Sequence, residues 1–99
     1  MEHMAELLND EEISDALTKL PTWQREGDSI TRTAELASFG QAMEAVNRVA
    51  ELAESVNHHP DIDIRWRNVT FRLSTHSAGG LTAKDVSLAE QIDETIDNL

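Results

Sequence analysis

Residues 57–76 read NHHPDIDIRWRNVTFRLSTH, from Asn57 to His76. Two short runs in this stretch repeat with period two. Ile62, Ile64 and Trp66 alternate with Asp63, Arg65 and Arg67. Val69, Phe71, Leu73 and Thr75 alternate with Thr70, Arg72, Ser74 and His76. Successive side chains on a strand point to opposite faces, so each run buries one face and wets the other. A tight connection near Arg67-Asn68 joins the runs into a hairpin. Pro60 disfavours helical geometry at His59, so a helix arriving from upstream ends at Asn57-His58-His59.

That upstream helix opens at Ser38-Phe39-Gly40-Gln41, a capping box with Ser38 at the N-cap and Gln41 at N3. It runs to about Val56, with Phe39, Met43, Val46, Val49/Ala50, Ala53 and Val56 as its buried stripe. Glu44 and Arg48 pair on the wet side. Before it, Trp23 to Glu26 reads as a strand, Glu26 to Ser29 as a hairpin turn, and Ile30 to Leu36 as a second strand whose apolar face is broken by Arg32. An earlier helix opens at Asn9-Asp10-Glu11-Glu12, buries Ile13, Leu17 and Leu20, and stops at Pro21. After the quoted stretch, Ser77 to Gly80 is a loop. Thr82 to Asp85 resembles another capping box, and Val86, Ala89, Ile92, Ile96 and Leu99 stripe a last helix. The order is α-β-β-α-β-β-α. This predicts an α+β domain: a four-stranded antiparallel sheet with three helices packed on one face. The expectation is one domain over residues 1–99, with residues 1–9 a ragged N-terminal segment. Strand edges and a bare sheet face make self-association the expected state.

Composition narrows the function. The 99 residues carry 19 acids and 8 bases, a formal net charge of −11, and no cysteine. Thiolate metal sites, disulfides and a cysteine nucleophile are excluded. The acid excess argues against a phosphate backbone as partner, because that affinity comes from Lys and Arg. No stretch approaches the roughly 20 apolar residues of a membrane span, and no basic-then-apolar leader opens the chain. The expected location is cytoplasmic, with neither nucleic acid nor membrane as partner. The charge is uneven. Residues 1–20, 21–56 and 81–99 sum to −5, −3 and −4, whereas residues 57–76 sum to +1 and hold three of the four histidines. This local exception predicts a site for a neutral or weakly anionic ligand.

His58 and His59 follow a helix end, and His76 ends a strand; two such termini can converge on one cleft. Imidazole gains or loses a proton near neutrality, which suits general acid–base chemistry. Glu54 lies one helical turn before His58, placed to orient that ring if the helix persists. Three readings stay open on spacing alone. The histidines are turn residues with satisfied hydrogen bonds, or metal ligands, or acid–base and ligand-binding groups. Against metal, adjacent side chains diverge and no HExxH spacing occurs. His3 is set aside with the N-terminal segment. No GxSxG elbow or phosphate-cradling glycine loop is present.

Glu54, three residues, His58-His59-Pro60, five residues, Trp66, nine residues, His76, eight residues and Asp85 form a spaced constellation. It resembles the signature of the pterin-4a-carbinolamine dehydratases. The likeness extends to Trp23, Phe39, Leu73 to His76 and Gly80-Leu81-Thr82, and covers about residues 13–97. The resemblance implies a four-stranded sheet with helices on one side, a homodimer or homotetramer, and a small-molecule pterin as substrate. It implies loss of water from a 4a-hydroxytetrahydropterin to give the quinonoid dihydropterin, with no metal and no organic cofactor. By this likeness His58 and His76 form the acid–base pair. His59 belongs to the same catalytic set and orients the pterin. Glu54 and Asp85 support the site, and Trp23 and Trp66 line the cleft. Two alternatives stand beside this. One is a non-catalytic dimerisation module like relatives that partner a transcription factor. The other is the same fold acting on another pterin, as in molybdopterin metabolism.

Overall fold

The hairpin at the centre of the sequence forms as its alternation requires. In the computed structural model, which describes residues 6–99, strands β3 (Asp61–Arg65) and β4 (Asn68–Leu73) pair antiparallel across the two-residue turn Trp66-Arg67. The first hairpin comprises β1 (Gln24–Glu26) and β2 (Ser29–Glu35). It turns at Gly27, whose φ of +60° belongs to the left-handed region that glycine enters without cost. β2 then pairs with β4, so the sheet order is β1-β2-β4-β3 and every pair is antiparallel. Helices α1 (Asp10–Thr18), α2 (Phe39–Val56) and α3 (Ala83–Asp97) complete the chain, with one turn of 3₁₀-helix at His76–Ala78.

The register sorts the side chains. Ile30, Ala34, Val69, Phe71 and Leu73 point to the helices and are buried with Val49, Leu88 and Ile92. The opposite face carries Thr31, Thr33, Asp61, Asp63, Thr70 and Arg72, and no helix among the described residues covers it. A Thr33–Thr70 hydroxyl pair at 2.7 Å marks its polar character. Arg32 is the exception on the inner face. Its guanidinium pairs with Asp93 on α3, and the indole N–H of Trp23 donates to the same carboxylate oxygen at 2.8 Å. The charge that interrupts the apolar alternation is thus neutralised where it is buried.

All three helix starts are capped as their sequences imply. Asn9 and Glu12 form a reciprocal capping box at α1, and Thr82 and Asp85 one at α3. Ser38 Oγ accepts the Gln41 N–H at 3.1 Å, but the Gln41 side chain accepts from Ala37 rather than from Ser38. Three expectations shift. Leu20 is buried but lies beyond α1, which ends at Thr18. Of the expected α2 stripe Val49 and Ala53 are buried, and Ala42 and Ala45 join them in place of the larger Phe39, Met43, Val46 and Val56. Small residues let the helix lie close to the sheet, and the wide apolar stripe leaves Phe39 and Val56 half exposed. The N-terminal segment is not ragged where it is described: the Leu8 N–H donates to the Leu81 carbonyl at 2.8 Å, and Asn9 is a cap. His3 lies outside the described residues.

The end of α2 decides where the histidines go. Asn57 takes φ +51°, ψ +44°. The His58 N–H donates to the Ala53 carbonyl at 3.1 Å and the Asn57 N–H to the Glu54 carbonyl at 3.3 Å. This is a Schellman motif with asparagine in the left-handed position.

Two stability predictions follow from these contacts. Asn57→Ala, which puts a Cβ without a compensating polar group into the left-handed region, should cost about 1 kcal/mol and lower Tm by about 4–8 °C. Asn57→Gly should keep or raise Tm. Asp93→Ala should cost about 2 kcal/mol in urea unfolding, because it leaves a mostly buried guanidinium and an indole N–H without their acceptor. A change below 0.5 kcal/mol, roughly the size expected of an ordinary surface substitution, would deny the Asp93 pair that role.

Candidate active site

The left-handed turn at Asn57 redirects the chain, so His58 and His59 leave α2 on opposite sides. His58 points toward the helix layer. Its side chain is 11% exposed, and its Nε2 lies 2.6 Å from Asp85 Oδ1. His59 points the other way, 53% exposed, and its Nε2 meets the Glu54 carboxylate. Glu54 was expected beside His58; it pairs with His59 instead. The physical reason is the Schellman turn: helical spacing stops at Val56, and a left-handed residue replaces the continuation that would have stacked residue 58 over residue 54.

Asp85 is fully buried. Its Oδ2 accepts the Thr75 hydroxyl at 2.8 Å and the Thr82 N–H at 3.0 Å. In the tautomer that carries the proton on Nε2, His58 donates to Oδ1. A hydroxyl has one proton, and Thr75 gives its own to Asp85. Thr82 Oγ1, 2.8 Å away, therefore donates to Thr75 Oγ1, while accepting the Lys84 N–H. Both oxygens of the Asp85 carboxylate therefore have partners, as burial of a charge demands. The cluster joins the end of α2, the residue after β4 and the start of α3.

His76 follows Thr75 directly. The Thr75 N–H donates to the Gly80 carbonyl at 2.9 Å, and the Ala78 N–H to the Thr75 carbonyl at 3.0 Å. The loop between is a short 3₁₀ turn closed by Gly79 at φ +80°. His76 is therefore presented on a pinned loop while its neighbour is locked into the core.

His59 and His76 line one cavity of about 360 Å³, on the face of the sheet that no helix covers. The remaining lining comes from Asp28, Ser29, Asp61, Arg72, Ser74, Gly79 and Gly80. The volume sits at the lower end for small-molecule sites. Ser74 Oγ donates to the Asp28 carbonyl at 2.9 Å, which ties the first hairpin to the cavity rim. Arg72 Nη2 donates to Glu26 Oε1 at 2.8 Å. The Arg72 hydrogen bond, then the Thr31 hydroxyl, hold the Glu26 carboxyl below the usual carboxylate range. That pair is present at neutral pH and is lost as pH falls through the lowered value.

Four expected site residues lie elsewhere. His58 faces a separate groove between α2 and α3, lined by Val56, Ala83, Lys84, Ser87, Leu88 and Gln91. Asp85 lies behind the cavity in the buried cluster. Trp23 is 4% exposed and packs in the core, where its N–H meets Asp93. Trp66 is 68% exposed at the hairpin turn. It lies five residue steps from Asp61 on the cavity wall, about 17 Å along the strand. Arg72, Ser74, Asp61, Asp28 and Ser29 were not anticipated. Arg72 and Ser74 carried a signal, since they share the period-two face of His76. Asp61 is the cross-strand partner of Arg72. Asp28 arrives only through the pairing of β2 with β4.

Comparison with known proteins adds an independent line. The family model described as pterin 4 alpha carbinolamine dehydratase matches residues 6–95. A Nocardia farcinica protein, provisionally named as such a dehydratase, is 64% identical over 89 residues, covering 90% of this chain and 94% of its own. The crystal structure of a transcriptional coactivator/pterin dehydratase from Brucella melitensis superposes with a TM-score of 0.87 at 30% identity, over 90% of this chain and 97% of that one. A pterin dehydratase-like protein identified as a RuBisCO assembly factor in the alpha-carboxysome shares the fold, with a TM-score of 0.62 at 19% identity over 75% and 86% of the two chains. A family match over residues 6–95, a relative 64% identical over 90% of the chain and a shared fold make the chain a member of the pterin 4 alpha carbinolamine dehydratase family.

Proposed function

We propose that the protein dehydrates a 4a-hydroxytetrahydropterin, of the tetrahydrobiopterin type, to the quinonoid dihydropterin in pterin recycling. The observation that carries this reading is the pairing of His59 and His76 in one cavity of a family member. The reaction breaks the C4a–O bond and removes the proton from N5; the hydroxyl leaves as water once it is protonated. One group must give a proton and another take one. The elimination is redox-neutral and asks only for a proton donor and a proton acceptor, which two imidazoles supply, so the proposal includes no metal and no organic cofactor.

His59 and His76 are the proposed acid–base pair. This departs from the expected pairing of His58 with His76, because His58 faces the groove between α2 and α3 and does not line the cavity that His59 and His76 share. Glu54 meets the His59 Nε2 and fixes the orientation of the ring. His58 and Asp85 are positioning residues: they hold the chain on either side of the Asn57 turn and the Thr75 junction. The work is done in the cytoplasm.

A second reading, a binding module, is favoured by Phe39 and Val56, which lie 51% and 45% exposed on α2. The same surfaces, with the uncovered edge strand β3 and its half-exposed Ile64, support self-association as a homodimer or homotetramer.

Purified protein should accelerate loss of water from enzymatically generated 4a-carbinolamine; a rate equal to buffer alone would sink the dehydratase reading and leave the binding module. Each proton transfer is typically worth about 10²–10⁴-fold. His59→Ala and His76→Ala should therefore each lower kcat by about 100-fold or more while retaining native circular dichroism. His58→Asn, which keeps a donor toward Asp85, should lose less than about tenfold; an equal loss would return His58 to the pair. Light scattering on the 11.0 kDa chain should give a mass two or four times that value, and a monomer across micromolar concentrations would refute self-association.

A further inference from the structure

The cavity is more acidic than the chain segment that supplies its histidines. Residues 57–76 sum to +1, but the fold brings other groups to the wall. Asp28 enters from the β1–β2 turn, and Asp61 stands at the start of β3. Glu54 reaches His59 from α2, and Glu26 reaches Arg72 from β1. Four carboxylates therefore surround the cavity against one guanidinium and two imidazoles. Arg72 offers no free positive charge, because Glu26 pairs with it and Thr31 donates to the second Glu26 oxygen at 3.1 Å. Among the described residues, neither Asp28 nor Asp61 has a cationic side chain within ion-pair distance. Both are exposed at the rim, so their field acts on whatever enters.

We infer that Asp28 and Asp61 are specificity-determining residues: they make the cavity accept pterins with an uncharged side chain and reject pterins that carry a carboxylate or phosphate there. The inference rests on the pterin reading given above. The physical basis is Coulomb repulsion between a ligand anion and two carboxylates without counter-ions, screened at the exposed rim. Repulsion of this kind discriminates by destabilising the wrong ligand rather than by adding contacts to the right one. At a partly exposed site the expected discrimination is about tenfold, and it shrinks as salt rises.

The test is direct binding, which needs no turnover. Quenching of pterin fluorescence gives Kd for 6-hydroxymethylpterin, which is neutral, and for pterin-6-carboxylate. The carboxylate should bind about tenfold more weakly at low salt, and the gap should narrow in 0.5 M NaCl. The Asp28→Asn/Asp61→Asn double variant should bring the two Kd values within about twofold of each other, by strengthening binding of the carboxylate. Asp63→Asn removes a charge from the same face of β3 outside the cavity, and should leave the gap in place. Equal binding of the two pterins by the unaltered protein, or a gap that survives the double variant, would overturn the inference while leaving the pterin reading intact. Binding of neither pterin would overturn both.

Discussion

The buried carboxylate of Asp85 is the constraint on which the site depends. An ionised group at zero exposure is tolerable only when its lone pairs are filled, and three separate chain segments supply the donors. His58 comes from the end of α2, Thr75 from the end of β4, and Thr82 from the start of α3. The two cavity histidines are the immediate neighbours of the first two. His59 follows His58, and His76 follows Thr75, so each exposed imidazole sits one peptide from an atom that cannot move without stranding a buried charge. A small domain thereby holds two solvent-facing side chains at the rim of one cavity without burying either of them.

The layer arrangement explains which side of the sheet is free for this purpose. The helices cover one face only, and α2 approaches it on alanines at 42, 45 and 53. The other face is built from hydroxyls and ion pairs, with Thr33 against Thr70 and Glu26 against Arg72. Such a face loses little by staying wet, so it needs no third layer. The cavity forms at its end, where β3, β4, the β1–β2 turn and the His76 loop meet. The one charged residue that does point inward, Arg32, is matched by Asp93 from α3. The face away from the helices is thus polar, and the one inward-pointing charge is neutralised.

Much of this was legible before any coordinates. Period-two alternation gave the central strands and their faces, and cap residues placed all three helix starts. It also put Arg72 and Ser74 on the face of His76, although their part in the cavity went unread. What escaped detection depended on single backbone angles or on residue pairs distant in sequence. Asn57 is a plausible helix terminator, but nothing in its identity says that it turns left-handed. That turn hands Glu54 to His59 instead of to His58. The tryptophans misled for a different reason. Trp23 and Trp66 are equally aromatic, yet one serves the core through Asp93 and the other stands in a hairpin turn at φ +56°. The alanine face of α2 was hidden by larger apolar residues beside it, because hydrophobicity does not reveal how closely a helix must approach.

Charge shows the same limit most plainly. A running sum along the chain isolates residues 57–76 as the one positive segment, and it does locate three of the four histidines. It gives the wrong sign for the space around them. In an antiparallel sheet each strand's wall is completed by cross-strand neighbours, and these come from the acidic flanks: Glu26 and Asp28 lie more than forty residues from the strand end they face. The arginines of the segment are meanwhile consumed. Arg72 is held by Glu26, Arg65 by Asp63, and Arg67 lies between Glu35 and the Trp66 ring. A positive charge that is already paired contributes little field beyond its partner, whereas an unpaired carboxylate at the rim contributes all of its own. The electrostatic character of the cavity is therefore set by which charges lack partners, and those are the aspartates.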